Sequence, residues 1–431
     1  MICCSDKHIT RNPPAHPLVS GNLGSYDVWK PRPSESPVTP AEAAKTLGNS
    51  NDRVRVHNLS VVLRLVHRTG GVPRSSLTRQ TGLNRSTVAA LVGELVERQL
   101  VVEGEPDARN QVGRPSPMTL PGDRPVGIAV NPEIDAITVG VVGLGGRVLR
   151  RVRRATAVIP TAEQAAEITA DIVAELRAEL EPAHRVFGIG VAVPGLVRVA
   201  DGLVRLAPHL GWENQPFAAM LARATGLPVR AANDANLGTL AESTFGAGRG
   251  VSDFIYLNGG ASGIGGGILA GGELLFGADG YAGELGHTIV TRNGIRCHCG
   301  GAGCLETEVR REPLLELLGL DDADADELEA ALLASDDRAV LAEVHRQLDH
   351  LGFALGNAIN ALNPRLIVLG GFLGSISAAE PDHLDRVVAA GPLSAARGQP
   401  SIVPTELGAS LLMIGAAELA LEAVLEDPTL G

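Results

Sequence analysis

The densest chemistry in this 431-residue chain lies between Gly286 and Glu306. His287, Cys297, His298, Cys299 and Cys304 all fall in that stretch. Three thiols and one imidazole are four soft donors, the number a closed tetrahedral zinc site requires. Either His287 or His298 can supply the nitrogen. Gly294, Gly300, Gly301 and Gly303 let the backbone fold tightly around an ion. The other cysteines are Cys3 and Cys4, so the total is odd and clustered, which reads as metal rather than a disulfide framework.

Asn233-Asp234 is a second candidate. Both residue types are common in a strand-end turn. An ionised carboxylate also accepts hydrogen bonds from sugar hydroxyls and, within reach, takes a hydroxyl proton during phosphoryl transfer. Other chemistries are excluded by composition. Only Lys7, Lys30 and Lys45 are lysines, and the remaining 34 basic residues are arginines. A P-loop lysine, a protein-kinase ATP lysine and a Schiff-base lysine are therefore absent from the main body. Asp322, Asp324 and Asp326 begin like an EF-hand loop, but Glu327 occupies its glycine position and Leu333 its bidentate position. They read as an acidic helix N-terminus.

A third candidate is basic. Between Asn51 and Leu120 ten arginines face six carboxylates, a local charge of +4 within a chain of −12. Leu59, Val62, Leu63 and Val66 have helical spacing, and Gly70-Gly71 ends that helix. A short helix carrying Leu77 stops at Thr81-Gly82. Asn84 caps a third helix whose buried stripe is Val88, Leu91, Val92, Leu95 and Val96. Val101-Val102 and Pro117–Leu120 read as strands on either side of a polar loop. This is a helix, a helix-turn-helix and a two-stranded wing. Arg85, Ser86, Thr87 and Ala89 would face base edges, and Arg109 and Arg114 in the wing would reach the DNA backbone or minor groove.

From Pro125 strands alternate with helices, which predicts an α/β fold with ligand sites at strand ends. Val126–Val130, Ala136–Val142 and Val148–Arg151 read as strands, and Ala162–Leu180 as a helix. Val186–Val193, Phe254–Leu257, Ile264–Leu269 and Leu366–Leu369 are further strands. Gly143–Gly146 is a hairpin turn. Residues 1–50 have the Pro, Ser, Asn and Gly content of a disordered tail. Asp6 and Lys7 interrupt the N-terminus and no 18-residue apolar run is visible, so the expectation is a cytoplasmic protein without a membrane span.

The stretch from Gly280 to Glu306 resembles the signature of the ROK family (repressors, open reading frames, kinases): Gly-His, a spacer, Cys-x-Cys-Gly, then Gly-Cys-x-Glu. Val193-Pro194-Gly195, Ala207-Pro208 with Gly211-Trp212, Asn233-Asp234-Ala235-Asn236, Gly263–Gly267 and Asn363-Pro364 through Gly370-Gly371 also match. The resemblance covers roughly residues 55 to 425. It implies an N-terminal winged helix-turn-helix plus a two-lobed, actin-like and hexokinase-like domain with the ligand cleft between lobes. It assigns Asn233, Asp234, Glu284, His287 and Glu306 to a sugar site, with Asp234 at the catalytic base position. It favours His287 over His298 as zinc ligand with Cys297, Cys299 and Cys304. One His287 nitrogen would bind structural zinc and the other would face ligand.

Two departures stand out. Family kinases open with Asp-x-Gly-Gly-Thr on the first hairpin, where backbone N–H groups meet the ATP phosphates. Here Ala129 replaces the Asp, Pro132 lacks an N–H, and Glu133 brings negative charge. These argue against ATP and Mg2+ and leave Asp234 a vestigial base, although the second glycine loop, Ala261–Gly267, is largely intact. His209 stands where the family commonly has Asn after Ala-Pro. The expected organisation is a tail (1–50), a winged helix-turn-helix (51–121) and a sugar-sensing domain (122–431). The expected function is a transcriptional regulator, a repressor by preference, binding operator DNA and a sugar or sugar-phosphate effector as a homodimer or homotetramer. The alternative is an ATP-dependent hexose kinase that retains a winged helix.

Overall fold

The computed structural model describes residues 50–105, 116–260, 262–391 and 400–431. The expected tail up to residue 49, Arg109 and Arg114 of the wing, and Ala261 lie outside the described residues.

The N-terminal unit has three helices, α1 (Ser50–Thr69), α2 (Arg74–Thr81) and α3 (Arg85–Glu97). Gly82 ends α2 in a left-handed conformation, its N–H donating to the Thr78 carbonyl. The Asn84 side chain accepts the Thr87 N–H at 2.8 Å and caps α3. Val88, Leu91, Val92 and Leu95 are buried as expected, but Val96 is 36% exposed. At 3.6 residues per turn it falls about 80° from Val88, at the edge of the stripe. The sheet has three strands rather than two, β1 (Val72–Pro73), β2 (Val101–Gly104) and β3 (Met118–Pro121), with β3 central. The extra strand is too short to carry a period.

The first lobe opens with an antiparallel meander, β4 (Pro125–Pro132), β5 (Ala136–Gly143) and β6 (Arg147–Ala155). Helix α4 (Ala162–Leu180) crosses over to β7 (Arg185–Val193), which runs parallel to β4. A small sheet of β8 (Leu196–Arg198), β9 (Leu203–Ala207) and β10 (Trp212–Gln215), then helix α5 (Phe217–Thr225), leads to β11 (Val229–Asn233), parallel to β7. Helix α6 (Asp234–Phe245) leaves for the second lobe. There β12 (Phe254–Gly260), β13 (Gly263–Ala270) and β14 (Glu273–Leu274) form another meander. Helices α7 (Leu305–Glu308), α8 (Glu312–Leu318), α9 (Ala325–Ala334) and α10 (Arg338–Leu362) precede β15 (Leu366–Gly371). Helices α11 (Phe372–Ala379) and α12 (Pro381–Ala390) precede β16 (Ser401–Pro404). The two orders, β6-β5-β4-β7-β11 and β14-β13-β12-β15-β16, repeat one plan of three antiparallel and two parallel strands. Asp324 caps α9 in a reciprocal capping box with Glu327, as the acidic helix start predicts.

The last helix, α13 (Leu411–Glu426), returns to the first lobe. Gly140, Ala129 and Gly190 pair across β5, β4 and β7. Their smallness lets α13 lie on the sheet: a Cβ on Gly190 would stand 1.7 Å from the Ala416 carbonyl oxygen. Helices α6 and α13 pack together between the sheets among Ala192, Leu237, Met413 and Ala417. One correction concerns membranes. By length and composition the helix Gly408–Glu426 is apolar enough to cross one, though no such run was expected. It is apolar on most sides because its neighbours are the first sheet, α6 and α1.

The opposing roles of two glycines give a prediction. Gly190→Ala should lower the thermal midpoint sharply, by an equivalent of about 3 kcal/mol, as backbone overpacking does. Gly93→Ala, inside α3 with nothing within 4 Å of the added Cβ, should raise local stability by about 0.5–1 kcal/mol. Thermal unfolding of both variants checks the pair.

Candidate functional site

Strand β11 ends and α6 begins at Asn233-Asp234. Asn233 caps α6: its Oδ1 accepts the Asn236 N–H at 3.0 Å, and its Nδ2 donates to the Gly195 carbonyl at 3.0 Å. The strand-end turn and the site residue are thus the same feature, because the cap leaves the Asp234 carboxylate within electrostatic reach of Glu284. Asp234 Oδ1 accepts the Ala235 N–H at 2.8 Å. Burial pushes its carboxyl up to about 6, against that N–H and with added repulsion from Glu284. Glu284, from the second lobe, is also raised by burial, with His287 opposing and Glu306 adding to the rise.

Glu306 in α7 faces the histidines and Cys297. Its Oε1 lies 3.4 Å from His287 Nδ1 and 3.2 Å from His298 Nδ1, and accepts from Cys297 Sγ at 3.0 Å. Gly263, at φ +125°, makes the room, since a Cβ there would sit 2.6 Å from Glu306 Oε2. That glycine opens the Gly263–Gly267 run noted in the sequence, where nothing ties it to Glu306. Its signal is a positive φ, invisible without a structure. The rest of the second glycine run has a packing role: Gly265 and Gly267 lie in β13 against Ala235 and Thr239 of α6.

His287, Cys297, Cys299 and Cys304 bring their ligand atoms within 4.8 Å of one another. Cys299 and Cys304 sulfurs are 3.7 Å apart, and Cys297 Sγ is 3.6 Å from His287 Nδ1. A tetrahedron with zinc–sulfur bonds of about 2.3 Å and a zinc–nitrogen bond of about 2.0 Å has edges of about 3.8 and 3.5 Å. The donor set therefore fits the ion in chemistry, and these two separations match the edges of such a tetrahedron. The Cys297 carbonyl accepts the Gly300 N–H, and the Cys297 N–H donates to the Gly301 carbonyl, closing the knuckle. Burial raises the Cys297 thiol, whereas the Gly301 N–H lowers the Cys299 thiol. Of the two candidate imidazoles His287 joins the sulfurs. Its Nε2 points the other way, 3.9 Å from Glu284 Oε2. His298 Nδ1 lies 3.9 Å from Cys297 Sγ and groups with His287 and Glu306, and its ring is edge-on to His209 of the first lobe, with ring centroids 5.9 Å apart. His209 Nε2 is buried without a partner among the described residues.

In the first hairpin the Glu133 carboxylate is engaged by neighbouring side chains. Glu133 Oε1 accepts from Thr138 Oγ1 at 2.7 Å and from Asn131 Nδ2 at 3.3 Å, and Arg153 Nε lies 3.1 Å from Oε2. Its charge is compensated within the hairpin. Ala129 is fully buried beneath α13.

The expected DNA-facing residues lie far from this cleft in the chain, on α3. Arg85, Ser86 and Ala89 are exposed and Thr87 is half-buried. The Ser86 hydroxyl is engaged with Asn84 at 2.7 Å. Several arginines in the basic count are paired inside the structure: Arg55 and Arg98 with Glu94, Arg74 with Glu103, and Arg64 with Glu422.

The sequence profile of the ROK family matches residues 128–423. A xylose repressor of Caldicellulosiruptor bescii is 28% identical over 75% of this chain and 85% of its own. A glucokinase of Thermotoga maritima is 34% identical over 54% of this chain and 78% of its own. The crystal structure of a ROK family transcriptional regulator, a homolog of the Escherichia coli Mlc protein, shares the fold with a TM-score of 0.71, at 24% identity over 87% of this chain and 98% of that one. The chain belongs to the ROK family.

Proposed function

We propose that the protein is a DNA-binding transcriptional regulator, a repressor, controlled by a sugar or sugar phosphate bound between Asn233-Asp234 and the Glu284–Glu306 segment. The observation that carries this reading is the helix-turn-helix unit, with the first turn of α3 exposed, docked through α1 onto α13 of the two-lobed fold. Repressor relatives align over most of the chain. Arg85, Thr87 and Ala89 would read bases, with Ser86 holding the cap, and Arg109 and Arg114 would contact the backbone or minor groove. A two-fold homodimer, or a homotetramer built from it, would read a palindromic operator.

In this reading His287, Cys297, Cys299 and Cys304 hold a structural zinc ion. Zinc bound there would fix the His287 ring, whose Nε2–H then donates toward the effector. Asp234, Glu284 and Glu306 accept from sugar hydroxyls. Asp234 binds without catalysing, because Ala129, Pro132 and Glu133 replace the phosphate-binding hairpin. The second reading, a hexose kinase with a winged helix, draws support from the glucokinase relatives and from Asp234 itself. A coupled assay with Mg-ATP over a hexose panel separates the two: we expect no turnover, and a rate of about 1 s⁻¹ or more belongs to a kinase.

Purified protein from metal-replete cells should carry one zinc per chain by elemental analysis. Cys299→Ala should lose that zinc and unfold at lower temperature, since structural zinc supplies folding free energy. Metal-free wild-type protein of full stability would remove the zinc assignment.

The division of labour predicts opposite effects from two substitutions. Asp234→Ala should weaken effector binding about tenfold to a hundredfold, the size of a charged hydrogen bond, and leave ligand-free DNA affinity intact. Arg85→Ala should do the reverse. The pH dependence has a definite sign: the Asp234 carboxyl is raised, so it is ionised only above about 6. Effector affinity should therefore fall as pH drops through that value. Calorimetry with the sugar that raises the thermal midpoint in a screen, and anisotropy with selected DNA, test all three.

A further inference from the structure

Within the junction between the N-terminal unit and the two-lobed body, one imidazole is buried among three elements of the body. His67, in the last turn of α1, is 1% exposed. Its Nδ1 accepts the Gly145 N–H at 3.0 Å. The ring proton is therefore on Nε2, which donates to the Glu418 carboxylate at 3.0 Å. The ring stands edge-on to Phe245, with centroids 5.1 Å apart. The β5–β6 turn, α13 and the last residue of α6 thus converge on one side chain from the helix-turn-helix unit.

The other end of α6 lies in the candidate sugar site. Asp234 is its first residue and Phe245 its last, separated by about 17 Å at 1.5 Å per residue. Every residue from Ala235 to Thr244 is buried. Glu242, fully buried, accepts the Ala247 N–H at 2.7 Å, the Glu406 and Leu407 N–H groups at 3.2 Å each, and the Thr405 hydroxyl. One helix therefore starts at a first-lobe strand, is clamped to a second-lobe loop, and ends against His67. A change in lobe angle that moves α6 must shift Phe245 against that ring. The junction has room for such a shift: a cavity of about 120 Å³ lies beside His67, lined by Arg64, Ser243, Thr244, Glu418 and Leu425.

We propose that His67 is the positioning residue through which effector binding at the Asp234 end of α6 changes the placement of the DNA-binding unit. This rests on the reading of the protein as a sugar-responsive regulator. Its ring contacts with Gly145, Glu418 and Phe245 hold α1 in one placement on the body. Displacement of Phe245 unseats the ring and permits another placement, so the two ends of α6 bias one equilibrium.

The test uses the full chain, DNA that it selects from a random pool, and D-xylose, D-glucose and glucose 6-phosphate as probes. DNA affinity is measured by fluorescence anisotropy with and without each sugar, and sugar affinity by calorimetry without DNA. The ratio of the two DNA affinities is the coupling factor. His67→Phe keeps an aromatic ring against Phe245 and removes both ring nitrogens. His67→Gln returns a donor for Glu418, and Phe245→Leu approaches the contact from α6, so a variant that does not fold leaves others to measure. We expect the coupling factor to fall at least about fivefold in His67→Phe and Phe245→Leu, within the usual range of site-to-site coupling. Sugar affinity should stay within about twofold of wild type, and His67→Gln should recover part of the coupling. Full coupling in the folded variants overturns the role of His67 and leaves the functional reading standing. A wild-type chain that selects no DNA, or whose DNA affinity none of the three sugars changes, overturns both.

Discussion

The architecture depends on how closely one helix backbone approaches one strand. The Ala416 carbonyl occupies the space above Gly190 that any side chain would fill. Gly140 and Ala129 extend that shallow row across the sheet, and Ala417 and Met413 face it from α13. Once α13 is seated, its opposite side is fixed in space. Leu421, Val424 and Leu425 then join Leu59, Val62, Leu63 and Val66 in one apolar cluster with the N-terminal unit. Apolar burial is non-directional and does not set register. Polar contacts do: Arg64 forks onto Glu422, and Ser60 donates to the Leu425 carbonyl at 2.6 Å. Burial raises the Glu422 carboxyl and the Arg64 guanidinium opposes that rise, so the pair is matched at a place where either charge alone would be costly.

Much of this was legible in the sequence, and the exceptions share a cause. Helix α4 matches the expected Ala162–Leu180, because its apolar period is long and Thr161 caps it. The donor set from His287 to Cys304 was legible because rare residue types cluster. The preference for His287 over His298 came from the family resemblance and not from spacing, since ring direction depends on the turn at Glu284–His287. Strand β1 escaped notice because two residues have no period, and Val96 because stripe edges depend on the partner surface. Ala129 read only as a missing carboxylate, while its place beneath α13 needs the sheet pairing. His67 gave no signal at all: a histidine in the last turn of a helix suits the dipole there, and its partners lie 78 and 351 positions away in the chain.

The loop that carries Cys297, Cys299 and Cys304 couples local chemistry to lobe geometry. Cys297 and Cys299 bracket His298, and that imidazole touches His209 across the cleft. Ordering the loop therefore orders an interlobe contact as well as the first shell of the candidate sugar site. His287 serves both sides, with Nδ1 toward the sulfurs and Nε2 toward Glu284. An ion held by this cluster would order the loop, the His287 ring direction and the His209 contact together, so under the proposed function metal and effector binding would be thermodynamically linked.

A regulator built on this frame needs less than a kinase does. Phosphoryl transfer demands a phosphate cradle, magnesium and a base aligned together. A tenfold change in DNA affinity demands only about 1.4 kcal/mol of difference between two placements of the N-terminal unit. The seat of α1 combines an apolar cluster with two buried or half-buried acid–base pairs. That is much more than a small bias needs to overcome, so effector binding is better suited to shifting the unit on its seat than to releasing it. The junction cavity and the single ring at the end of α6 suit a small displacement of that kind, because packed interfaces switch between discrete arrangements and do not deform continuously.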